Sequence, residues 1–307
     1  MPNAGVRIRG DAFPARLVAR VEERSSVLCL GLDPRPPYPP DCMRGLAPGR
    51  AGSARAVERY CLGVLEAAGG AAAAVKPQVA FFEQLGGYGL TALERVCAAA
   101  RALEIPVIAD GKRGDIASTA AAYAAAWLEP RGDEPAVADA LTVNPYLGED
   151  SLEPFLAACD AGAAIFVLVR TSNAGSADLQ ELELAAGGQL WERVADLVRA
   201  AGAGRTGPDG LASVGAVIGL TRPAALRRAR ELMPAAPLLI PGLGAQGGDP
   251  RDAAPAFRPH PAGGLVSVSR GIMESWRGAA GDWRDAVATA ASAHRETTWR
   301  IAADAAA

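Results

Sequence analysis

The chain has 307 residues, half of them hydrophobic, with a formal net charge of -3. It is long enough to bury a large core without disulfide staples, and too weakly charged to point to nucleic acid or an anionic membrane as a partner. Five scattered cysteines without a CxxC pair argue against a disulfide framework or structural zinc, and two histidines, His260 and His294, are too few for a histidine-rich metal centre or Ser-His-Asp chemistry.

In chain order, a helix is expected over 11–23, followed by a strand over 27–32 and a proline-rich loop over 33–41. Further apolar runs rich in β-branched residues at 73–79, 105–109, 140–143, 164–169, 214–220, 237–240 and 265–268 bring the strand count to eight. Such runs lack polar alternation, which suits parallel strands buried on both faces. Stretches of helical period lie between them, at 54–67, 90–103, 116–128, 151–158, 178–200 and 222–232, with another at 279–302 before a tail expected to fray. Alternating β and α units at this length predict an α/β chain folded as a single (β/α)8 TIM barrel, with its core at about 25–295 and an extra N-terminal helix. No signal-peptide core opens the chain and no run of about 18 apolar residues occurs, so a cytoplasmic location is expected.

Barrel enzymes work at the C-terminal ends of their strands. The first strand ends at Asp33, the second at Lys76, and the third runs into Asp110-Gly111-Lys112-Arg113-Gly114-Asp115. Lys76 and Lys112 are the only lysines among 31 basic residues, and an ammonium can give up a proton where a guanidinium cannot. Residues two apart on an extended segment share a side, so Asp110 and Lys112 are expected to point together into the barrel mouth. There, alternating acids and ammonium groups stabilise one another and hold Lys112 protonated.

The segment Pro241-Gly242-Leu243-Gly244-Ala245-Gln246-Gly247-Gly248 contains a G-x-G-x-x-G. It follows the seventh strand rather than the first, and no acid stands at 262–269 to meet a ribose, so a dinucleotide fold is rejected. Loops after strands seven and eight commonly bind phosphate in barrels, and Ser269-Arg270-Gly271 adds a guanidinium there. After the fifth strand, Arg170-Thr171-Ser172-Asn173-Ala174-Gly175-Ser176 offers hydroxyls and an amide suited to a polar ring edge, although the same residues also suit an ordinary turn.

These segments, together with Leu30-Gly31-Leu32-Asp33, Val75-Lys76-Pro77-Gln78, Phe81-Phe82-Glu83 and Thr142-Val143-Asn144-Pro145-Tyr146-Leu147-Gly148, resemble the orotidine 5′-phosphate decarboxylase family, particularly its longer bacterial branch. The resemblance implies decarboxylation of orotidine 5′-phosphate to UMP and CO2, the last step of de novo UMP synthesis, with no cofactor and no metal. It implies that Asp33 and Lys76 contact the ribose, that Asp110 faces the substrate carboxylate, and that Lys112 protonates C6. Ser172 is implied to bond the pyrimidine and Pro241 to pack near it, with Gln246 and Arg270 on the phosphate. Asp115, with Ile116 and Thr119, is implied to reach a neighbouring subunit's site in a homodimer. Gly111 and Ala174 depart from the family's usual alanine and proline. Three other readings are weighed: a Mg²⁺-dependent sugar-phosphate decarboxylase or aldolase, disfavoured by Lys76 where a metal-binding acid is expected; a Schiff-base aldolase; and a non-catalytic nucleotide binder.

Overall fold

The computed structural model describes residues 12–220, 223–243 and 248–307. Its sheet has eight parallel strands: β1 (Leu28–Leu32), β2 (Ala74–Pro77), β3 (Ile108–Arg113), β4 (Ala140–Val143), β5 (Ala164–Arg170), β6 (Val214–Ile218), β7 (Leu238–Pro241) and β8 (Gly264–Val268). Their order, β2-β1-β8-β7-β6-β5-β4-β3, is that of a barrel cut between β2 and β3. Parallel bridges Val75↔Val107 and Gln78↔Asp110 join those two strands, so the sheet closes on itself as the expected TIM barrel. Every residue of β1, β2, β4, β6 and β8 is buried, which is why their sequences read as unbroken apolar runs.

Helices α1 (Phe13–Arg24), α2 (Arg50–Ala68), α3 (Gly87–Ala102), α4 (Ala117–Leu128), α5 (Glu153–Asp160), α6 (Leu190–Gly202), α7 (Pro223–Leu232) and α8 (Trp283–Ala306) accompany the strands. The N-terminal helix is pinned at the foot of the barrel. Phe13 N donates to Gly162 O at 2.9 Å, the Phe13 ring meets Phe166 edge-on at 6.0 Å, and Arg16 pairs with Asp139 at 2.7 Å.

Two expectations are corrected. The segment 178–200 is not one helix: a short turn at Ala177–Gln180 ends, and Gly187 and Gly188 take positive φ of 87° and 78° before α6 begins. Two successive left-handed residues cannot belong to a right-handed helix. The C-terminal tail does not fray, since α8 runs to Ala306 from a start where the Asp282 carboxylate accepts from Arg284 N at 2.9 Å.

Candidate active site

At the C-terminal mouth of the barrel lies a cavity of about 320 Å³. Asp33, Lys76, Asp110, Lys112, Ser172, Pro241 and Arg270 all line it, so seven of the predicted site residues come together from strands or loops across the whole ring. Asp115 and Thr119 do not line it: Asp115 Oδ1 accepts from Ile116 N at 2.8 Å, and Thr119 is exposed on the first turn of α4. Gln246 lies outside the described residues. The ends of its segment are drawn together by a 3.2 Å hydrogen bond from Gly248 N to Gly242 O.

Asp110 is the hub of the site. Its Oδ2 accepts from Lys76 Nζ at 2.7 Å and Gln78 Nε2 at 3.0 Å, and its Oδ1 from Lys112 Nζ at 2.5 Å and Thr142 Oγ1 at 3.0 Å. Four donors fill the four lone-pair directions of one carboxylate, so it is fixed in place without freedom to rotate. Burial alone would raise the Asp110 pKa, but the charges of Lys76 and Lys112 outweigh it and hold the carboxyl well below the usual range. For Lys76, burial works toward the neutral amine, whereas Asp110 and then Asp33 favour the ammonium and push its pKa above the ordinary lysine value. Lys76 is nearly inaccessible, while the Lys112 side chain keeps 45% of its exposure and faces the cavity. Below the lysines, burial pushes the Cys29 thiol up to about 12, leaving no thiolate nucleophile at neutral pH.

The reason Asp110 and Lys112 converge differs from the expected one. β3 and β4 pair at Ala109↔Leu141 and again at Arg113↔Val143, so four steps along β3 match two along β4. This bulge places Lys112 at φ 47°, and its N–H is taken by Thr142 Oγ1 at 2.9 Å. A left-handed lysine costs on the order of 1–3 kcal/mol, a strain the surrounding bonds must hold. Simple strand alternation therefore gives the right partners by the wrong geometry.

On the opposite wall, Asp33 Oδ1 and Ser269 Oγ are buried oxygens with no hydrogen-bond partner among the described residues. Unpaired buried polar atoms are expensive in a finished core and acceptable where a ligand hydroxyl completes them. Their approach depends on Gly31, because a Cβ there would lie 2.7 Å from Ser269 Cβ. The sequence reading missed Gln78 and Thr142 as members of the charged network, and Arg35 and Asn173 as cavity residues. Thr142 had a visible signal, being the one hydroxyl in the apolar run of β4. Gln78 had a weaker one, as the first polar residue beyond β2.

A closed parallel barrel with buried acid and ammonium groups at the C-terminal ends of β2 and β3, and an arginine after β8, defines an α/β-barrel enzyme scaffold acting on a small anionic ligand. The family model described as Orotidine 5′-phosphate decarboxylase / HUMPS family matches residues 26–280, and the chain belongs to that family. Among its relatives, the orotidine 5′-phosphate decarboxylase of Rhodopirellula baltica is 44% identical over 91% of this chain and 96% of its own length. That of Deinococcus radiodurans is 48% identical over 85% and 89%. The solved structure of Leishmania donovani OMP decarboxylase superposes with a TM-score of 0.72 at 36% identity, covering 93% of this chain and 98% of that one.

Proposed function

We propose that this chain decarboxylates orotidine 5′-phosphate to UMP and CO2 without a cofactor, with Lys112 as the proton donor to C6. The observation that carries the reading is the Asp110 carboxylate held between two lysines, Lys76 at 2.7 Å and Lys112 at 2.5 Å, on the floor of the cavity. Loss of CO2 from C6 leaves an electron pair in the ring plane with no adjacent sink. The protein then has on the order of 20 kcal/mol of transition-state stabilisation to supply. A preorganised ammonium beside that carbon, shielded from water, is the largest single contribution available to these residues. Lys112 stabilises the developing charge and then transfers a proton to C6, so that the carbon–carbon bond electrons end in a C–H bond and the lysine is left neutral. An arginine there would supply charge without a proton to give.

The remaining roles follow from position. Asp110 faces the departing carboxylate and holds Lys112 in line. Asp33 and Lys76 meet the ribose hydroxyls, a role supported by the unpartnered Asp33 Oδ1. Ser172 bonds the pyrimidine and Pro241 packs beside it, both from the cavity wall. Arg270 and Gln246 hold the phosphate, whose binding energy closes the 242–248 segment over the ring. Asp115 acts in a neighbouring subunit's site within a homodimer. The 59% exposure of Ile116 and the 77% exposure of Tyr146, large apolar side chains beside that acid, support an interface there. Cytoplasmic placement is supported by five buried, unpaired cysteines, the state a reducing compartment maintains.

The experiment is the loss of orotidylate absorbance after treatment of the protein with EDTA. Turnover unchanged by the chelator is the expected result; turnover that vanishes with the chelator and returns with Mg²⁺ would replace this reading with a metal-dependent one. Dimer sharing is tested separately by mixing Asp115→Ala and Lys112→Ala chains. Mixed dimers are expected to regain part of the activity that each parent lacks, and verified mixed dimers without recovery would contradict it.

A further inference from the structure

Arg170, the last residue of β5, is 1% exposed and one of the largest fully buried side chains. It does not line the cavity. Its Nη1 donates to Thr171 O at 3.0 Å, Ser176 Oγ at 2.6 Å and Gln180 Oε1 at 3.1 Å, and its Nη2 to the Glu181 carboxylate. A buried guanidinium is tolerated only with its donors satisfied, so the loop after β5 must fold around it.

Gln180 completes the clamp. Its Oε1 also accepts from Thr171 N at 2.9 Å, and its Nε2 donates to Thr171 Oγ1 at 2.9 Å. That hydroxyl in turn donates to Asn173 Oδ1 at 2.6 Å. The N–H, carbonyl and hydroxyl of Thr171 are thus all engaged by Arg170, Gln180 or Asn173. From the other side, Gly219 N donates to Arg170 O at 2.7 Å, and a Cβ at Gly219 would come within 2.9 Å of Ser172 N, Cα and Cβ, so Ser172 is pressed against bare backbone. Thr171, Ser172 and Asn173 form the polar wall of the cavity, yet the groups that orient them stand behind it.

We infer that Arg170 and Gln180 are positioning residues that fix the ring-reading wall of the cavity and so set its discrimination for the heterocycle, as distinct from its hold on the ribose phosphate. The inference rests on the uridylate reading above. A loop held only by its ends would sample many hydroxyl and amide directions, and ordering it at each binding event would weaken affinity for the base. The clamp removes that freedom beforehand.

The test is calorimetric titration of the full chain with UMP and, separately, with ribose 5-phosphate, which lacks the base. Gln180 is half-buried, so Gln180→Ala is expected to fold with an unchanged circular dichroism spectrum. In that variant the Kd for UMP is expected to rise about tenfold, the scale of losing two hydrogen bonds to an ordered segment, while the Kd for ribose 5-phosphate stays within about twofold. Gln180→Glu keeps the acceptor for Arg170 and Thr171 N and is expected to restore UMP affinity to within about threefold of wild type. Equal weakening of both ligands in Gln180→Ala would show a general structural role and overturn the inference, as would unchanged affinity for both. Wild-type protein that binds ribose 5-phosphate as tightly as UMP would overturn the uridylate reading itself, a result separable from either.

Discussion

Replacing Asp110 by asparagine removes one charge with almost no change of shape and isolates the network's contribution to folding. An amide has a single acceptor oxygen, so its NH2 must face one of the donor pairs, Lys76 with Gln78 or Lys112 with Thr142. The larger penalty is electrostatic. Lys76, buried and left with Asp33 as its remaining carboxylate, becomes an uncompensated ammonium, whereas the half-exposed Lys112 is screened by solvent and contributes little. Breaking a buried pair by removing one partner costs about 3–5 kcal/mol, and the residual attraction of Asp33 puts this case near about 3 kcal/mol. With an unfolding entropy of about 2.1 cal/mol/K per residue over 307 residues, that corresponds to a Tm lower by about 5 °C. Thermal unfolding followed by circular dichroism at pH 7 measures it. The pH dependence carries a sign as well. The Asp110 pKa is depressed in the folded chain, so its stabilisation is present above the unfolded value of about 3.9 and is lost as pH falls below it. The gap between wild type and variant should therefore be full at neutral pH and narrow toward about pH 3. A variant as stable as wild type at pH 7, or a gap that widens in acid, would refute the account of Asp110 as the hub of a buried charge network.

Three further outcomes follow from the same geometry. Because Asp110 is held deprotonated and Lys76 protonated, kcat should show no inflection from either group between about pH 5 and 9; an acid limb near pH 6 that disappears in Asp110→Asn would contradict this. Arg270→Ala, at an exposed position on the cavity rim, should raise KM about 30-fold, equivalent to about 2 kcal/mol of phosphate binding, with a smaller change in kcat. An unchanged KM would remove Arg270 from the phosphate site. Thr142→Val, which deletes a donor to Asp110 Oδ1 and the acceptor of Lys112 N, should lower kcat more than it raises KM, since it frees the strained Lys112 backbone without removing a group from the cavity mouth.

Much of the barrel was legible because parallel strands buried on both faces leave an unmistakable record: all eight apolar runs became strands, and the helices between them were offset by only a few residues at their ends. The failures are local and have physical causes. Helical period carried through 178–200 although Gly187 and Gly188 supply the two left-handed residues that break it. At the site, residue type was more informative than spacing. The scarcity of lysine singled out Lys76 and Lys112, but the bulge that brings Lys112 back to Asp110 depends on how many residues of β3 face β4, a count set by tertiary pairing. Gln78 and Thr142 stayed hidden because a lone amide or hydroxyl at a strand end is common. Only the fold shows that both reach the same carboxylate. Arg170 was read as part of a polar run, whereas its burial reverses its role, from a surface cation to the anchor of the wall beside the cavity.

The central claim, that one ammonium held against Asp110 quenches a carbon anion without help from a metal, meets its most direct trial in single-turnover decarboxylation of orotidylate by EDTA-treated wild-type and Lys112→Ala proteins. Wild type should release UMP at its full rate. Lys112→Ala, losing a half-exposed side chain, should stay within about 1 kcal/mol of wild-type stability and still bind UMP, yet turn over slower by a factor of at least about 10⁴. Near-native turnover in the folded Lys112→Ala variant would contradict the account.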